Sequence, residues 1–219
     1  MKKLIVIGNG SYARMMRRYI ELTDFGQTAA YAVESAFIQE KEMDGLPVVP
    51  IERLKESHSP IEYSLIMGIG YTKMSKVRKE NFERCKALGF HFENYIHPTA
   101  LIEKNVMLGE GNNILEGVIL EEGVVLGNAN LLFGGSLIAH ETTVGDYNTF
   151  SVKAVAAGCS TIGSHCFVGA AAVIKDHVTI QDYVLLGASA YGFKDMEAYS
   201  VVVPAKSTVL EGRKSTEFL

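Results

Sequence analysis

Residues 120–145 read LEEGVVLGNANLLFGGSLIAHETTVG, and an aliphatic side chain returns at every sixth position: Leu120, Leu126, Leu132, Ile138 and Val144. The register runs on without a slip in both directions. It passes back through Ile114, Leu108 and Ile102 and forward through Phe150, Ala156, Ile162, Val168, Ile174, Ile180 and Leu186. A period of six is neither the roughly 3.6 of a helix nor the alternation of an open sheet. It fits a chain wound into a solenoid, whose short strands turn corners while inward positions stack coil upon coil. The residues two before the apolar ones are mostly small or β-branched, as at Ala100, Val118, Ser136 and Thr142, and suit tight corners. Glycine follows the apolar residue at Gly109, Gly127, Gly145 and Gly163, so eighteen residues make one three-sided coil.

The rest of the composition narrows the class. The chain has 219 residues, 47% hydrophobic and 21% charged, an ordinary globular balance with room for two modest domains. A formal net charge of −4 gives no basic footprint, so nucleic acid is not an expected partner. No apolar run reaches membrane-spanning length, and Lys2-Lys3 leads into a strand pattern, so membrane insertion is not expected. Cys85, Cys159 and Cys166 are odd in number and show no paired spacing, which suits a reduced, cytoplasmic protein.

The first hundred residues alternate strand and helix. Leu4 to Ile7 predicts a buried strand ending at Gly8-Asn9-Gly10, with a helix from Ser11 to about Leu22. Further strands are predicted at Thr28–Val33, Tyr63–Gly68 and Phe90–Tyr95, a short helix opens at Pro50, and an amphipathic helix spans Lys73–Leu88. This order argues for a small parallel α/β sheet. His97-Pro98 marks the passage to the solenoid, because proline biases its predecessor toward extended backbone. The expected domains are therefore residues 1–97, Rossmann-like, and 98–219, the solenoid with a C-terminal cap. Beyond Leu186 the rhythm fails at Gly192, so residues 191–199 read as an irregular loop, Val201–Lys206 as a closing strand, and the charged segment after Glu211 as a mobile tail.

A short Rossmann-like domain followed by hexapeptide repeats resembles the bacterial sugar O- and N-acetyltransferases of the sialic-acid O-acetyltransferase type, over nearly all of residues 1–206. The resemblance implies a left-handed parallel β-helix, although the general crossover rule favours the opposite hand. It also implies a homotrimer that binds acetyl-CoA between neighbouring subunits, with no metal. The implied activity is N-acetylation of a UDP- or dTDP-linked amino-deoxy sugar, in surface-glycan biosynthesis.

The segment Ile138-Ala139-His140-Glu141-Thr142-Thr143-Val144-Gly145 carries the most specific match. Ile138 points inward, so His140 falls near a corner and not in the core; it is then either a catalytic residue or an ordinary surface histidine. Gly158 lies eighteen residues on, directly above it in the next coil. Acetyl transfer needs a base for the acceptor amine or hydroxyl and a donor for the thioester oxyanion. A positioned histidine typically contributes ~10²–10⁴-fold, and a backbone N–H aimed at the oxyanion can add ~10²–10³. The resemblance gives His140 the first role and the Gly158 N–H the second, unless that glycine serves only its turn. Glu141 would orient the imidazole, or else is a solvated carboxylate. By resemblance Ala170 and Ala188 line the pantetheine groove, or merely suit their corners, and Lys206, in Val203-Pro204-Ala205-Lys206, approaches the CoA phosphates or is solvated.

In the N-terminal half, Gly8-Asn9-Gly10 follows a strand and opens a helix, as in a nucleotide-binding turn, with Ser11, Tyr12 and Ala13 where the family often has Gly-His-Gly. Tyr12 either stacks on a base or packs. Glu34 and Ser35 stand where the family usually carries two aspartates that contact the base, and Gly70, in Gly68-Ile69-Gly70-Tyr71, resembles the family's second nucleotide-contacting turn or else belongs to a plain strand-to-helix loop. Phe133 replaces the family's sugar-contacting asparagine; it cannot make that hydrogen bond but can stack on a sugar face.

A zinc site like that of β-helical carbonic anhydrases would need histidines a whole number of coils apart, and His140, His165 and His177 are not. No cysteine has a supporting histidine that the sequence identifies, so direct attack without an acyl-enzyme is expected. O-acetylation of a sialic-acid-like sugar, or a purely trimeric scaffold, are the alternatives.

Overall fold

A computed structural model describes residues 2–214 and 216; of the tail that follows Glu211, residues 215 and 217–219 lie outside the described residues. The N-terminal half runs β1 (Lys3–Ile7), α1 (Ser11–Leu22), β2 (Gln27–Val33), β3 (Glu42–Met43), β4 (Leu46–Pro50), α2 (Leu54–Ser57), β5 (Tyr63–Met67) and α3 (Lys76–Ala87). The sheet order is β3-β4-β2-β1-β5, parallel except for the β3–β4 hairpin. Leu4 to Ile7 are fully buried, as a central parallel strand covered on both faces must be. The hairpin is a departure from expectation, since residues 42–49 show no hydrophobic alternation long enough to predict a strand pair. Its signal is Asp44-Gly45, both at positive φ (53° and 76°), the pair that a tight hairpin turn favours.

From residue 95 the chain forms three stacks of two-residue parallel strands, pairing with the strand eighteen residues on, as Ile119 with Leu137 and Leu120 with Ile138, until the last pair, Leu185 with Val201, where the spacing shortens to sixteen. This is the expected left-handed parallel β-helix. Its first face begins with Tyr95–Ile96 and Asn113–Ile114, its second with Leu101–Ile102 and Ile119–Leu120, its third with Met107–Leu108 and Val125–Leu126. The six-residue series fills the interior, from Ile114 through Phe150 to Leu186, all at 0–1% exposure. At the corners Asn112, Asn130 and Asn148 turn inward and form a ladder. Asn130 N donates to Asn112 Oδ1 at 2.8 Å, Asn148 N to Asn130 Oδ1 at 2.7 Å, and Cys166 N to Asn148 Oδ1 at 2.7 Å. Buried backbone donors that the short strands leave over are satisfied this way.

Both ends of the solenoid extend past their expected limits. The strand expected at 90–95 splits: Phe92 bridges to Leu65, but Tyr95–Ile96 belongs to the solenoid, with Tyr95 N bonded to Asn112 O and His97 N to Ile114 O. The winding thus starts before Pro98. At the other end Tyr191–Gly192 keeps its pairing with Val173–Ile174, where a loop was expected. Met196 fills the space that Gly192 leaves, for a β-carbon there would meet Met196 Cε at 2.7 Å and Leu186 Cδ2 at 3.1 Å. Val201–Val202 closes the stack against Leu185–Leu186, as read from the sequence.

The two halves share a core rather than merely touching. Phe82 and Phe92 pack with Ala129 and Tyr147 of the solenoid, and Leu115 packs among Leu4, Ile66 and Tyr95. Arg78, on α3 and fully buried, spans the seam. Its Nη2 donates to Tyr147 O at 2.5 Å, Asn148 O at 2.9 Å and Ser75 Oγ at 2.8 Å. Burial pulls its pKa down to about 9, partly offset by Tyr12 and Tyr147, which still leaves it a cation at neutral pH.

Candidate active site

Leu137–Ile138 buries Ile138 and carries the chain to a corner, where His140 stands exposed. Its backbone is pinned from both neighbouring coils: His140 N donates to Glu121 Oε2 at 2.9 Å, and His140 O accepts from Cys159 N at 2.9 Å. The ring lies against Gly158, where a β-carbon would come within 2.5 Å of both Cε1 and Nε2. The Gly158 N–H has no hydrogen-bond acceptor among the described residues. An imidazole and a spare backbone donor therefore share one corner, the pair that base and oxyanion donor require.

Glu141 does not hydrogen-bond the imidazole. Its Oε2 accepts from Cys159 Sγ at 3.4 Å, and Cys159 Sγ stands 4.0 Å from His140 Nδ1. The sequence reading found no cysteine with a nearby histidine; the coil register supplies one, because Cys159 stacks eighteen residues above Glu141. Both corner residues hold positive φ (55° and 59°), so the column is set by the winding and not by local preference. The Glu141 carboxylate pushes the Cys159 thiol's pKa up, which keeps it protonated and weakens it as a nucleophile.

Ala170 and Ala188 stack on each other, Ser189 N bonding Ala170 O at 2.8 Å. They follow strands Phe167–Val168 and Leu185–Leu186 of the first face, whereas His140 and Gly158 follow strands of the second. One chain thus places the alanines and the histidine on different corners. Lys206 is exposed beyond the last strand.

The nucleotide-binding residues foreseen in the N-terminal half divide. A cavity of about 390 Å³ opens at the ends of β1, β2 and β5, lined by Gly8, Gly10, Glu34, Gly68, Lys73 and Asn81 among others. Gly8 sits at φ +111° with its α-carbon pressed toward Gly68: a β-carbon would stand 3.0 Å from Gly68 O. Glu34 faces the cavity, its Oε1 accepting from Asn81 Nδ2 at 3.3 Å and its Oε2 paired with Arg84 at 3.2 Å. Ser35 is outside it, bonded through N and Oγ to Glu52. Ser11 lines a separate groove along α1 with Arg14 and Arg18. Gly70 also lies outside, its carbonyl 3.5 Å from Arg78 Nη1.

Tyr12 packs. Its hydroxyl accepts from Asn113 Nδ2 at 3.0 Å, its ring lies 5.8 Å from that of Phe133, and burial raises its pKa above the usual phenol range. Phe133 is likewise committed to this seam. Lys73 and Asn81 went unread in the sequence. Lys73 reaches the cavity on a turn where Lys73, Met74 and Ser75 all hold positive φ (52°, 50° and 64°). No residue type there favours such a turn. Tertiary contacts hold it, through Arg78 to Ser75 and a 2.9 Å hydrogen bond linking His165 Nδ1 and Met74 O.

No protein-family model matches the chain, and no curated protein matches it in sequence. Solved structures do. The acetyltransferase domain of PglB from Neisseria gonorrhoeae FA1090 superposes with a TM-score of 0.80 at 23% identity, covering 93% of this chain and 97% of that one. PerB from Caulobacter crescentus, solved with CoA and GDP-perosamine, gives 0.79 at 22%, covering 93% and 95%. WeeI from Acinetobacter baumannii AYE gives 0.80 at 20%, covering 93% and 97%. The chain shares the whole two-part fold of these proteins, α/β sheet and β-helix together.

Proposed function

We propose that this chain is an acetyl-CoA-dependent acetyltransferase that N-acetylates a nucleotide-linked amino sugar. The single observation that carries the reading is the His140–Gly158 corner, an exposed imidazole against a backbone N–H with no acceptor. The likeness to the PglB domain solved with acetyl coenzyme A and to PerB solved with GDP-perosamine supports it. In this reading His140 takes the proton from the sugar ammonium or amine as nitrogen attacks the thioester carbonyl. The Gly158 N–H donates to the developing oxyanion, the C–S bond breaks as the tetrahedral intermediate collapses, and the His140 imidazolium returns the proton to the departing sulfur, so that CoA leaves as the thiol. Glu141 acts on the imidazole through Cys159 rather than directly.

Acetyl-CoA lies along the small-residue columns, with Ala170, Ala188 and Lys206 as its contacts. These stand on a different corner from His140, so a neighbouring copy in a trimer brings the two together. The nucleotide occupies the cavity of Gly8, Gly10 and Glu34, with the diphosphate at the N-terminus of α1, where unpaired N–H groups and the helix dipole favour anions. Attack is direct. A thiol kept protonated beside Glu141 gives Cys159 no advantage as an acyl carrier.

The test is an acetyl-transfer screen with UDP-, dTDP- and GDP-linked amino sugars, and free sialic acid alongside. Transfer to a nucleotide-linked amine supports the reading, and transfer to sialic acid alone replaces it with O-acetylation. Substituting His140→Ala should lower turnover by about two orders of magnitude or more while acetyl-CoA still binds. A variant with near wild-type turnover would remove His140 as the base, and absence of acetyl-CoA binding in the unaltered protein would leave a scaffold.

A further inference from the structure

We infer that His140, Glu141 and Cys159 together form a binding site for a zinc-class divalent cation, one that blocks acetyl transfer when filled. One ligand atom from each, imidazole nitrogen, carboxylate oxygen and thiol sulfur, lies within 4.8 Å of the others, on an exposed corner. Tetrahedral zinc with sulfur at about 2.3 Å and nitrogen or oxygen at about 2.0–2.2 Å holds its ligand atoms about 3.3–3.6 Å apart. Cys159 Sγ to Glu141 Oε2 is already 3.4 Å, and Cys159 Sγ to His140 Nδ1 is 4.0 Å. A small rotation of exposed side chains closes the difference.

The donor set is selective. Thiolate with imidazole prefers zinc-like ions, while magnesium and calcium prefer oxygen donors alone. The backbone beneath is fixed, because Glu141 N bonds Glu122 O and Cys159 N bonds His140 O, both at 2.9 Å. His177, one coil beyond Cys159, turns to Asp176 at 3.8 Å and leaves the three ligands to themselves. On binding, the Cys159 S–H proton is released to solvent and a sulfur–metal bond forms, with water in the fourth position. Metal affinity is independent of the proposed activity; the block on turnover rests on His140 being its base.

The test uses the full, metal-free chain. Titration with Co²⁺ should produce a near-ultraviolet thiolate-to-cobalt band saturating at one ion per chain, displaced by Zn²⁺. The band should vanish in Cys159→Ser, and Zn²⁺ affinity measured against a chromophoric chelator should fall at least tenfold in Glu141→Gln and in His140→Gln. No band, or a band retained in Cys159→Ser, would overturn the site. Zinc should abolish acetyl transfer in the unaltered chain and act far less on Cys159→Ser, each compared with its own metal-free rate. Stoichiometric zinc at these ligands with turnover undiminished would overturn His140 as the base and leave the site standing.

Discussion

The imidazole of His140 rests on the backbone of Gly158, one coil further along the solenoid, so closely that a β-carbon at residue 158 would stand 2.5 Å from Nε2. Gly158 is not at positive φ, so its need for glycine is close approach rather than backbone freedom. The variant Gly158→Ala should therefore fold with a melting temperature within a few degrees of the parent, since the exposed ring can swing away. Turnover should drop by about 10²-fold, the usual cost of losing one aligned oxyanion donor or base. Full activity in Gly158→Ala would show that the corner is not where transfer occurs.

Arg78 is expected to tie the two halves together. Its fork satisfies Tyr147 O and Asn148 O inside the protein. In Arg78→Met the buried Tyr147 carbonyl loses its partner, at about 1–3 kcal/mol for a group left unpaired, while Asn148 O keeps its bond from Leu131 N. Urea unfolding should show that loss, with the Lys73–Ser75 turn becoming the fastest site of amide exchange in the α/β half. An unchanged urea midpoint would assign the stability of the seam to Phe82, Phe92 and Tyr147 alone.

The asparagine ladder should behave as a chain of single-donor bonds. Asn130→Ala removes the acceptor of the buried Asn148 N–H, a change expected to destabilise by about 1–3 kcal/mol. A matching substitution at the exposed Asn105 should cost a few tenths of a kcal/mol at most, within ~0.5. Equal effects at both positions in calorimetry would mean that the ladder carries no stability.

His165 provides a pH dependence of defined sign. It is stacked between Tyr147 at 5.0 Å and Tyr183 at 4.6 Å, and burial holds its pKa below the ordinary 6.5. Above the ordinary value both folded and unfolded chains carry it neutral. As pH falls through that value the unfolded chain binds a proton that the folded chain still refuses, so stability present at pH 7 is lost progressively toward pH 5. Melting temperature measured from about pH 7 to 5 should fall, and fall less in His165→Phe, which keeps the ring stack. Parallel curves for both proteins would assign the acid sensitivity to other groups.

The sheet of the first half was legible wherever strand and helix signals were strong, as at Leu4–Ile7 and Ser11–Leu22. The β3–β4 hairpin was not, because two-residue Glu42–Met43 has no hydrophobic run and only the Asp44-Gly45 turn betrays it. Among the nucleotide-end residues, Gly8, Gly10 and Glu34 line the cavity, while Ser11, Tyr12, Ser35 and Gly70 face elsewhere. Adjacent positions in a turn point in different directions, and local sequence does not say which one the cavity receives.

The six-residue register by itself determined the three-sided β-helix, its eighteen-residue coil and the stacking of Gly158 on His140. It does so because a repeat that buries one side chain per strand fixes which positions face inward and which stack, though not the hand of the winding. Tertiary structure alone decided how the side chains at that corner turn toward one another and what the other half brings to the cavity. Cys159 enters between His140 and Glu141, and Arg78 with His165 holds Lys73 at the cavity in a turn its own residues do not favour. Periodicity encodes which residues share a column. It does not encode rotamers, or contacts between elements that lie far apart in the chain, since these depend on how two separately patterned halves pack against each other.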